Sequence, residues 1–165
     1  MNITLRDFLV TDIERLVFLA NKQAVSRYLV YTFPYPYTRQ NAEFWITRGC
    51  KENGHTSKVI CLEGEFVGSV GFTRQSGWRD HCAEIGYWIG EEYWGRGIAS
   101  QALKILTDTA FEKYHLKKLY APVLAPNKAS MRVLEKCNYS LEGVFIQDVF
   151  KDGVYYDIHQ YARNA

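Results

Sequence analysis

The first part of the chain has the hydrophobic spacing of a helix. Apolar side chains recur every three or four positions, at Ile13, Leu16, Val17, Ala20 and Ala24. The preceding Thr11-x-x-Glu14 has the form of a capping box, in which each side chain bonds the backbone N–H of the other residue. The pattern predicts a weakly alternating first strand from Ile3 to Arg6 and then a helix capped at Thr11.

Residues 28–38, YLVYTFPYPYT, interrupt the helical spacing with two prolines and four tyrosines. Pro34 and Pro36 exclude a regular helix here, because proline lacks a backbone N–H and its ring clashes with the preceding turn. We expect a second helix that is capped by Thr38 and ends near Gly54. Its apolar face holds Ala42, Trp45 and Ile46.

From Ser57 onward most of the apolar pattern is typical of strands separated by turns. The predicted strands are Lys58–Leu62, Phe66–Thr73, Cys82–Ile89, Leu119–Leu124, Leu141–Phe150 and Val154–Tyr161. Tight turns join two pairs of them, at Glu63-Gly64-Glu65 and at Lys151-Asp152-Gly153, where Asp-Gly favours a hairpin.

Two further helices lie among these strands. One follows the segment YWGRGIAS, and the other runs from Asn127 to about Cys137. The first carries its helical spacing at Ile98, Ala102, Ile105, Leu106 and Thr109. The element order β α α β β β α β α β β contains one strand–helix–strand unit, from Cys82 to Leu124. Because such units join parallel strands by a right-handed crossover, we expect a mixed α/β sheet with helices on its faces.

The composition is that of one globular domain covering residues 1–165. Hydrophobic residues make up 47% and charged residues 23% of the chain. A net charge of +2 without a run of like charges argues against a nucleic-acid partner. The first residues, MNITLRDF, lack the apolar segment of a signal peptide, and no window is apolar enough to span a membrane.

The cysteines and histidines are scattered along the chain. No C-x-x-C pair and no other metal-ligand spacing occurs, so we expect no metal site. The cysteines are Cys50, Cys61, Cys82 and Cys137. Free thiols in a chain without a signal peptide predict a reducing compartment, the cytoplasm.

The segment YWGRGIAS, residues 93–100, places glycines on both sides of Arg96 just before a helix. Glycine disfavours a helix by about 1 kcal/mol relative to alanine, so another requirement must place it there. A helix N-terminus offers unpaired N–H groups and a partial positive charge, and glycines let an anion approach the backbone. The segment can bind a phosphate or pyrophosphate, although neither common nucleotide-binding glycine motif is present. A plain strand-to-helix turn with glycines at positive φ fits the same residues.

Three segments resemble the GNAT superfamily of acetyl-CoA-dependent N-acetyltransferases, and within it the ribosomal-protein N-terminal alanine/serine acetyltransferase branch. They are AEIGYWIGEEYWGRGIASQAL, NKASMRVLEKCNY and LEGVFIQDVFKDGVYYD, and the resemblance covers nearly the whole chain. It implies the GNAT fold, a mostly antiparallel sheet of about seven strands with four main helices. In that fold the fourth and fifth strands splay around the coenzyme. Pro122, which removes a donor from its strand, fits such a splay.

The resemblance also implies a coenzyme A site. The backbone from Gly95 to Ser100 would bind the pyrophosphate, and strand residues 87–89 would pair with the pantetheine arm. Trp94 departs from the Gln or Arg that is frequent there, but the backbone still serves. Asn127 would bind pantetheine or only cap its helix, and Arg132 would reach the adenosine phosphate or lie in solvent. The predicted coenzyme residues are Tyr87, Trp88, Ile89, Gly95, Arg96, Gly97, Ile98, Ala99, Ser100, Asn127 and Arg132.

Amine acetylation needs a base for the amine proton and a donor for the leaving thiolate. Glu84 is the first candidate base, since strand alternation places it on one face with Cys82, Gly86 and Trp88, where small neighbours leave room. A surface glutamate paired with a cross-strand cation would give the same pattern. Asp148 is the second candidate base, by resemblance to the branch.

For the thiolate, many superfamily members use a tyrosine at the position that Leu134 holds here. The resembling branch uses a serine three residues after the asparagine, and Ser130 matches it. A serine in the first turn of a helix also commonly serves the backbone. Should Ser130 have no such role, Tyr139 is the first tyrosine to consider.

The aromatic segment between the first two helices lines the acceptor side in the family. Its side chains can form a substrate wall or pack as a lid over the core. The four candidates are Tyr31, Phe33, Tyr35 and Tyr37.

Together these features predict a cytoplasmic enzyme, a monomer or a homodimer, that moves acetyl from acetyl-CoA to a primary amine by direct attack in a ternary complex. The resemblance implies a protein N-terminal α-amine, such as that of a ribosomal protein, as the acceptor. A polyamine or other small amine is the alternative acceptor, which acidic residues in the cleft would favour. A coenzyme A-binding module without catalysis is the alternative class.

Overall fold

The structure is a computed structural model that describes residues 1–165. Its strands are β1 Ile3–Arg6, β2 His55–Leu62, β3 Glu65–Arg74, β4 Cys82–Ile89, β5 Lys118–Leu124, β6 Ser140–Lys151 and β7 Val154–Asn164. Its helices are α1 Ile13–Ala20, α2 Gln23–Ser26, α3 Arg39–Phe44, α4 Ile98–Glu112 and α5 Lys128–Lys136. Short 3-10 turns occur at Val10–Asp12, Gly77–Arg79 and Glu91–Tyr93, and a π-helical turn, Trp45–Gly49, continues α3.

The strands form one seven-stranded sheet in the order β1-β2-β3-β4-β5-β7-β6. All neighbouring pairs are antiparallel except β4 and β5, which are parallel and joined through α4. The crossover predicted from Cys82 to Leu124 is therefore present, and the predicted strands lie within a few residues of the observed ones.

β4 and β5 are paired only at one end. Residues Cys82–Glu84 pair with Lys118–Tyr120, and no pair follows. β4 nevertheless remains paired with β3 as far as Ile89, so one edge of β4 is free after Glu84. We call the gap between the diverging strands the wedge. Pro122 lies in the diverging part of β5, where its missing N–H interrupts no ladder with β4.

Helices cover both faces of the sheet. The α4 face is the one covered by α4 and α5, and its core includes Leu103, Leu106, Leu119 and Leu134. The α1 face is the opposite one, covered by α1 and α3, and its core includes Leu16, Leu19, Tyr37, Val59 and Phe66. The sheet therefore has a hydrophobic core on each face.

The start of the first helix differs from the prediction. Thr11 lies within a 3-10 turn and does not cap α1, which begins at Ile13. Asp12 is the N-cap residue of α1 but makes no side-chain hydrogen bond to it; its carboxylate accepts a hydrogen bond from the Leu9 N–H at 2.8 Å and pairs with the Arg6 guanidinium at 2.7 Å. The carboxylate at the start of α1 is therefore bound by residues that precede the helix.

The helices before β2 are shorter than predicted. The first helix ends at Ala20, and Ala24 lies in the separate helix α2. Thr38 caps α3 as predicted, since its side chain accepts a hydrogen bond from the Asn41 N–H. The helical run then ends at Gly49 rather than near Gly54.

Candidate active site

The backbone of the loop between β4 and α4 favours glycine at two positions. Gly95 and Gly97 have φ values of +73° and +75°, which side chains with a Cβ rarely adopt. Gly97 is also the N-cap residue of α4. A Cβ at either glycine would meet no atom within 4 Å, so both face open space. The loop combines the two readings of the sequence, since it is a strand-to-helix turn with room for a ligand.

The backbone amides of this loop are free. None of the N–H groups from Gly95 to Ser100 donates a hydrogen bond within the protein, and the first bonded amide is that of Gln101, 3.2 Å from the Gly97 carbonyl. A run of free amides at a helix N-terminus is an anion-binding arrangement. The Arg96 guanidinium, over the Tyr93 ring at 5.7 Å, adds a positive charge beside it.

Contacts on both sides hold this loop in place. Arg15 of α1 donates a hydrogen bond to the Tyr93 hydroxyl at 2.7 Å, and that hydroxyl also lies 2.9 Å from a carboxylate oxygen of Glu65. The Trp94 indole N–H donates to the Ile89 carbonyl at 2.7 Å. Trp94, the departure from the family pattern, therefore fastens the loop to the end of β4.

A hydrogen bond between side chains crosses the wedge. Ser130, in the first turn of α5, has its hydroxyl 2.8 Å from the hydroxyl of Tyr87 on β4. Tyr87 Oη also lies 3.1 Å from the Ser130 carbonyl oxygen. Burial raises the pKa of the Tyr87 phenol, although the Ser130 contact lowers it, so the phenol is neutral at neutral pH. Sequence analysis assigned Tyr87 only through its backbone and missed its hydroxyl, because nothing local signals a partner 43 residues away.

Asn127 caps α5, as one of the two readings of it predicted. Its side-chain oxygen accepts a hydrogen bond from the Ser130 N–H at 3.2 Å. Arg132 lies exposed on the same helix. Ile98, at 1% exposure, offers only its backbone N–H to the space in front of this loop, because its side chain packs in the core.

The tyrosine named as the next candidate after Ser130 lies elsewhere. Tyr139 is 2% exposed, and its hydroxyl lies 2.8 Å from the Thr107 hydroxyl inside the core of the α4 face. Leu134 is completely buried in the same core. Tyr87 is therefore the tyrosine that the structure brings to Ser130.

Glu84 lies half-buried at the closed end of the wedge, in register with Tyr120 of β5. Burial raises the pKa of its carboxyl, and the Tyr120 hydroxyl and the Arg79 guanidinium oppose this effect. Arg79 lies over the Tyr120 ring at 4.7 Å. A Cβ at Gly86, two residues along the same face, would meet no atom within 4 Å, so open space adjoins Glu84.

Asp148 does not lie near Glu84 in the sheet. It lies exposed on β6, in an irregular stretch where the register with β7 shifts between Phe145 and Val149. Three spacings of about 4.8 Å each separate β4 from β6 in the sheet. The two candidate bases are therefore alternatives and not a pair.

A cavity of about 690 Å³ opens between the aromatic segment and the β6–β7 hairpin. Three of the four predicted wall residues, Tyr31, Phe33 and Tyr35, line it, whereas Tyr37 is 5% exposed and lies in the core of the α1 face. The Phe33 ring is 5.4 Å from the ring of Trp88, which places the cavity next to β4. We call it the aromatic cavity.

The aromatic cavity has a polar side that sequence analysis missed. Lys151 donates hydrogen bonds to the carbonyl oxygens of Ser26 and Arg27, each at 2.9 Å, and to that of Leu29. Burial lowers the pKa of the Lys151 ammonium. The sequence signal at Lys151-Asp152-Gly153 is a turn, and it gives no sign that the lysine reaches back to α2.

No helix has the length and apolar character needed to cross a membrane. No group of three or more His, Cys, Asp or Glu side chains is arranged to hold a metal ion. All four cysteines are buried and free of disulfides.

Comparison with known proteins identifies the family. The family described as "Acetyltransferase (GNAT) domain" matches residues 2–140, and the chain belongs to it. Its α/β sheet, with the wedge between β4 and β5, is the GNAT fold.

The similar proteins include an acetyltransferase of a ribosomal protein. The chain is 33% identical to the ribosomal-protein-serine acetyltransferase of Escherichia coli (strain K12) over 105 residues, which cover 64% of this chain and 58% of that protein. The chain thus spans little more than half the length of this relative. It likewise spans 55% of the length of an uncharacterized N-acetyltransferase and 60% of the length of a probable N-acetyltransferase, both from Bacillus subtilis (strain 168).

Solved structures match over almost the whole chain. RimJ of Mycobacterium smegmatis in complex with CoA-disulfide is 25% identical with a TM-score of 0.88, covering 99% of this chain and 82% of that one. The spermidine N-acetyltransferase of Vibrio cholerae in complex with CoA and spermine is 22% identical with a TM-score of 0.83, covering 98% and 95%. The latter likeness concerns the fold alone.

Proposed function

We propose that this chain transfers the acetyl group of acetyl-CoA to a primary amine, with a protein N-terminal α-amine as the acceptor. The observation that carries this proposal is the run of free amides from Gly95 to Ser100 beside the free edge of β4. An anion site next to an unpaired strand edge suits a ligand with a pyrophosphate at one end and an amide-containing arm at the other. Coenzyme A has this form, and the family membership supports the assignment.

The residues present fit this ligand. Open space at Gly95 and Gly97 admits a phosphate to the free amides, and Arg96 and Arg132 are exposed cations for the other phosphates. The bound thioester supplies the activated acetyl group. Glu84 takes the amine proton directly or through a water, and the Ser130 hydroxyl donates a hydrogen bond to the leaving sulfur. No covalent bond to the chain is needed.

The aromatic cavity is the acceptor site in this proposal. Its walls reach β4 through Phe33 and Trp88, and β7 through Tyr156. Among its lining residues Arg27 and Lys151 are cationic, and Asp152 is the single carboxylate. A polyamine carries several positive charges, so a site for it would need several carboxylates. The lining disfavours a polyamine and favours one α-amine on a larger neutral or anionic molecule.

A thiol-release assay across peptide N-termini, free amino acids and polyamines, with mass spectrometry of the products, tests this function. Peptides acetylated at the α-nitrogen with release of coenzyme A are the expected result. Turnover confined to spermidine would overturn the acceptor. Coenzyme binding without thiol release for any amine would instead indicate the non-catalytic module. The four free cysteines fit the cytoplasm as the place of the reaction.

A further inference from the structure

We infer that Tyr87 is a positioning residue for Ser130, which it orients across the wedge so that the serine proton points toward the sulfur of coenzyme A. This inference rests on the proposed function, and it adds a group that acts through Ser130 rather than on the substrate. Its basis is the 2.8 Å contact between the two hydroxyls.

The local backbone does not engage the Ser130 hydroxyl. A serine in a helix often bonds the carbonyl oxygen three or four residues before it. Those carbonyls accept other donors here: Pro126 from the Lys128 N–H at 2.9 Å, and Asn127 from the Met131 N–H at 3.3 Å. Tyr87 is the one protein group that bonds Ser130 Oγ. The orientation of this hydroxyl is therefore set by β4 and not by α5.

The phenol of Tyr87 has one proton and two acceptors within reach on Ser130, Oγ at 2.8 Å and the carbonyl oxygen at 3.1 Å. We assign the proton to the shorter contact, the one with Oγ. When Tyr87 donates to Ser130 Oγ, the serine proton is left for a third group, and donation to Oγ strengthens the serine as a donor. The phenol keeps its proton at neutral pH because burial raises its pKa. Neither hydroxyl loses its proton, since Tyr87 donates a hydrogen bond to Ser130 and Ser130 donates one to the thiolate as it leaves.

The position of the pair relates it to the reacting end of the ligand. Tyr87 lies on β4 beyond the last residue paired with β5, which is Glu84. Ser130 lies in the first turn of α5, the helix that follows β5. The contact thus bridges the wedge between the edge that would bind the pantetheine arm and the helix on its far side.

The test uses the thiol pKa of bound coenzyme A, followed by thiolate absorbance, together with kcat for thiol release. A hydroxyl that donates to the sulfur lowers the thiol pKa by about one pH unit from its value in free coenzyme A. Tyr87→Phe should raise the thiol pKa back toward the free value and lower kcat about tenfold, with the KM for acetyl-CoA unchanged. Ser130→Ala should lower kcat about a hundredfold, and adding Tyr87→Phe to it should change nothing further.

Tyr139→Phe is the matched control. It removes a buried tyrosine–hydroxyl bond of the same 2.8 Å length, but one to Thr107 in the core. It should lower the melting temperature and leave the thiol pKa and kcat unchanged. A Tyr87→Phe protein that binds coenzyme A with the wild-type thiol pKa and kcat would overturn the inference, as would additive losses in the double variant.

Failure of the proposed function has a different signature. A wild-type protein that binds coenzyme A and acetylates no amine would refute the function, while a Tyr87-dependent thiol pKa would still support the positioning role. A wild-type protein that does not bind coenzyme A would overturn both.

Discussion

The ammonium nitrogen of Lys151 lies 2.9 Å from the carbonyl oxygen of Ser26, and this bond joins the β6–β7 hairpin to the end of α2. The same nitrogen bonds the carbonyls of Arg27 and Leu29, so its three donors are all used. Across the same junction the Asp152 N–H donates to the Tyr31 hydroxyl at 2.8 Å. The aromatic cavity lies between the two parts that these bonds connect. Its shape therefore depends on the Lys151 contacts.

Lys151→Met should weaken acceptor binding without affecting the coenzyme. Methionine keeps the apolar stem but cannot donate, so three carbonyls lose their partner and the aromatic segment separates from the hairpin. We expect the KM for the acceptor amine to rise about tenfold or more, because tenfold corresponds to about 1.4 kcal/mol and each of the three lost hydrogen bonds contributes about 1 kcal/mol. Steady-state kinetics with each substrate varied in turn measures it.

Lys118→Met is the control for this change. Lys118 also bonds a partner on another strand, Glu142, at 2.7 Å, but it does not line the cavity. It should leave both KM values unchanged. An acceptor KM in Lys151→Met equal to that of the wild type would separate the cavity from acceptor binding.

Gly97→Glu should abolish the stabilisation by coenzyme A. The new carboxylate would lie where the free amides face an anion, and its repulsion adds to the strain of a side chain at a φ of +75°. Free coenzyme at about 100 times its dissociation constant should stabilise the wild-type fold by about 2.7 kcal/mol, and the variant by none of it. Thermal unfolding with and without coenzyme A measures the difference.

Gly64→Glu separates strain from ligand repulsion. Gly64 has a φ of +88° with no atom within 4 Å of an added Cβ, and it lies in the β2–β3 hairpin. Both variants should lose stability to backbone strain, but Gly64→Glu should keep the full increase on adding coenzyme A. Retention of that increase in Gly97→Glu would show that the coenzyme binds elsewhere.

The parts of this site that the sequence predicted are those encoded locally. Gly95 and Gly97 mark the turn before α4 in the sequence, because glycine readily adopts positive φ, and alternation on β4 fixes the face of Glu84. Thr38 and Asn127 were predicted as caps because a cap and its N–H partner lie three residues apart.

The parts that the sequence missed depend on contacts between distant residues. Asp12 and not Thr11 is the N-cap residue of α1, and its carboxylate pairs with Arg6 of β1. Tyr37 lies in the core although it adjoins exposed aromatics, since its backbone N–H is bound by Asn21 at 2.9 Å. Lys151 likewise has its partners more than a hundred residues earlier, so no local pattern records them.

Asp12→Asn should destabilise the fold in a pH-dependent way. Burial raises the pKa of the Asp12 carboxyl, but the hydrogen bonds from Arg6 and the Leu9 N–H together outweigh it, and the net pKa is lowered from 3.8. Such a group adds stability that is present above its unfolded pKa and is lost as the pH falls through the lower folded value. At pH 7 we expect a loss of about 2 kcal/mol in the free energy of unfolding.

Urea unfolding of wild type and Asp12→Asn at pH 7 and at pH 3 measures this contribution. The difference between the two proteins should shrink at the acidic pH, because Asp12 is then partly protonated and as neutral as the asparagine that replaces it. Asp7→Asn, which removes an exposed ion pair with Lys58, should cost no more than about 1 kcal/mol at either pH. A wild-type advantage of equal size at both pH values would mean that packing, not charge, makes Asp12 important.

Glu84→Gln should remove the fall in rate that the wild type shows at acidic pH when Glu84 becomes protonated. As a base Glu84 acts only when ionised, and burial raises its pKa above 4.5, so the wild-type rate should fall at a higher pH than for a free glutamate. Glutamine cannot accept the amine proton, and the rate should fall on the order of 10²-fold. The deficit should be largest between the pKa of Glu84 and about pH 8. It should be smaller above about pH 8, where an α-amine is already neutral, and smaller below the pKa of Glu84, where the wild-type carboxyl is protonated. Coenzyme binding, measured by thermal shift, should stay unchanged, as should the rate of the exposed control Glu112→Gln. A Glu84→Gln profile that coincides with the wild type at every pH would transfer the role of base to Asp148 or to bulk water.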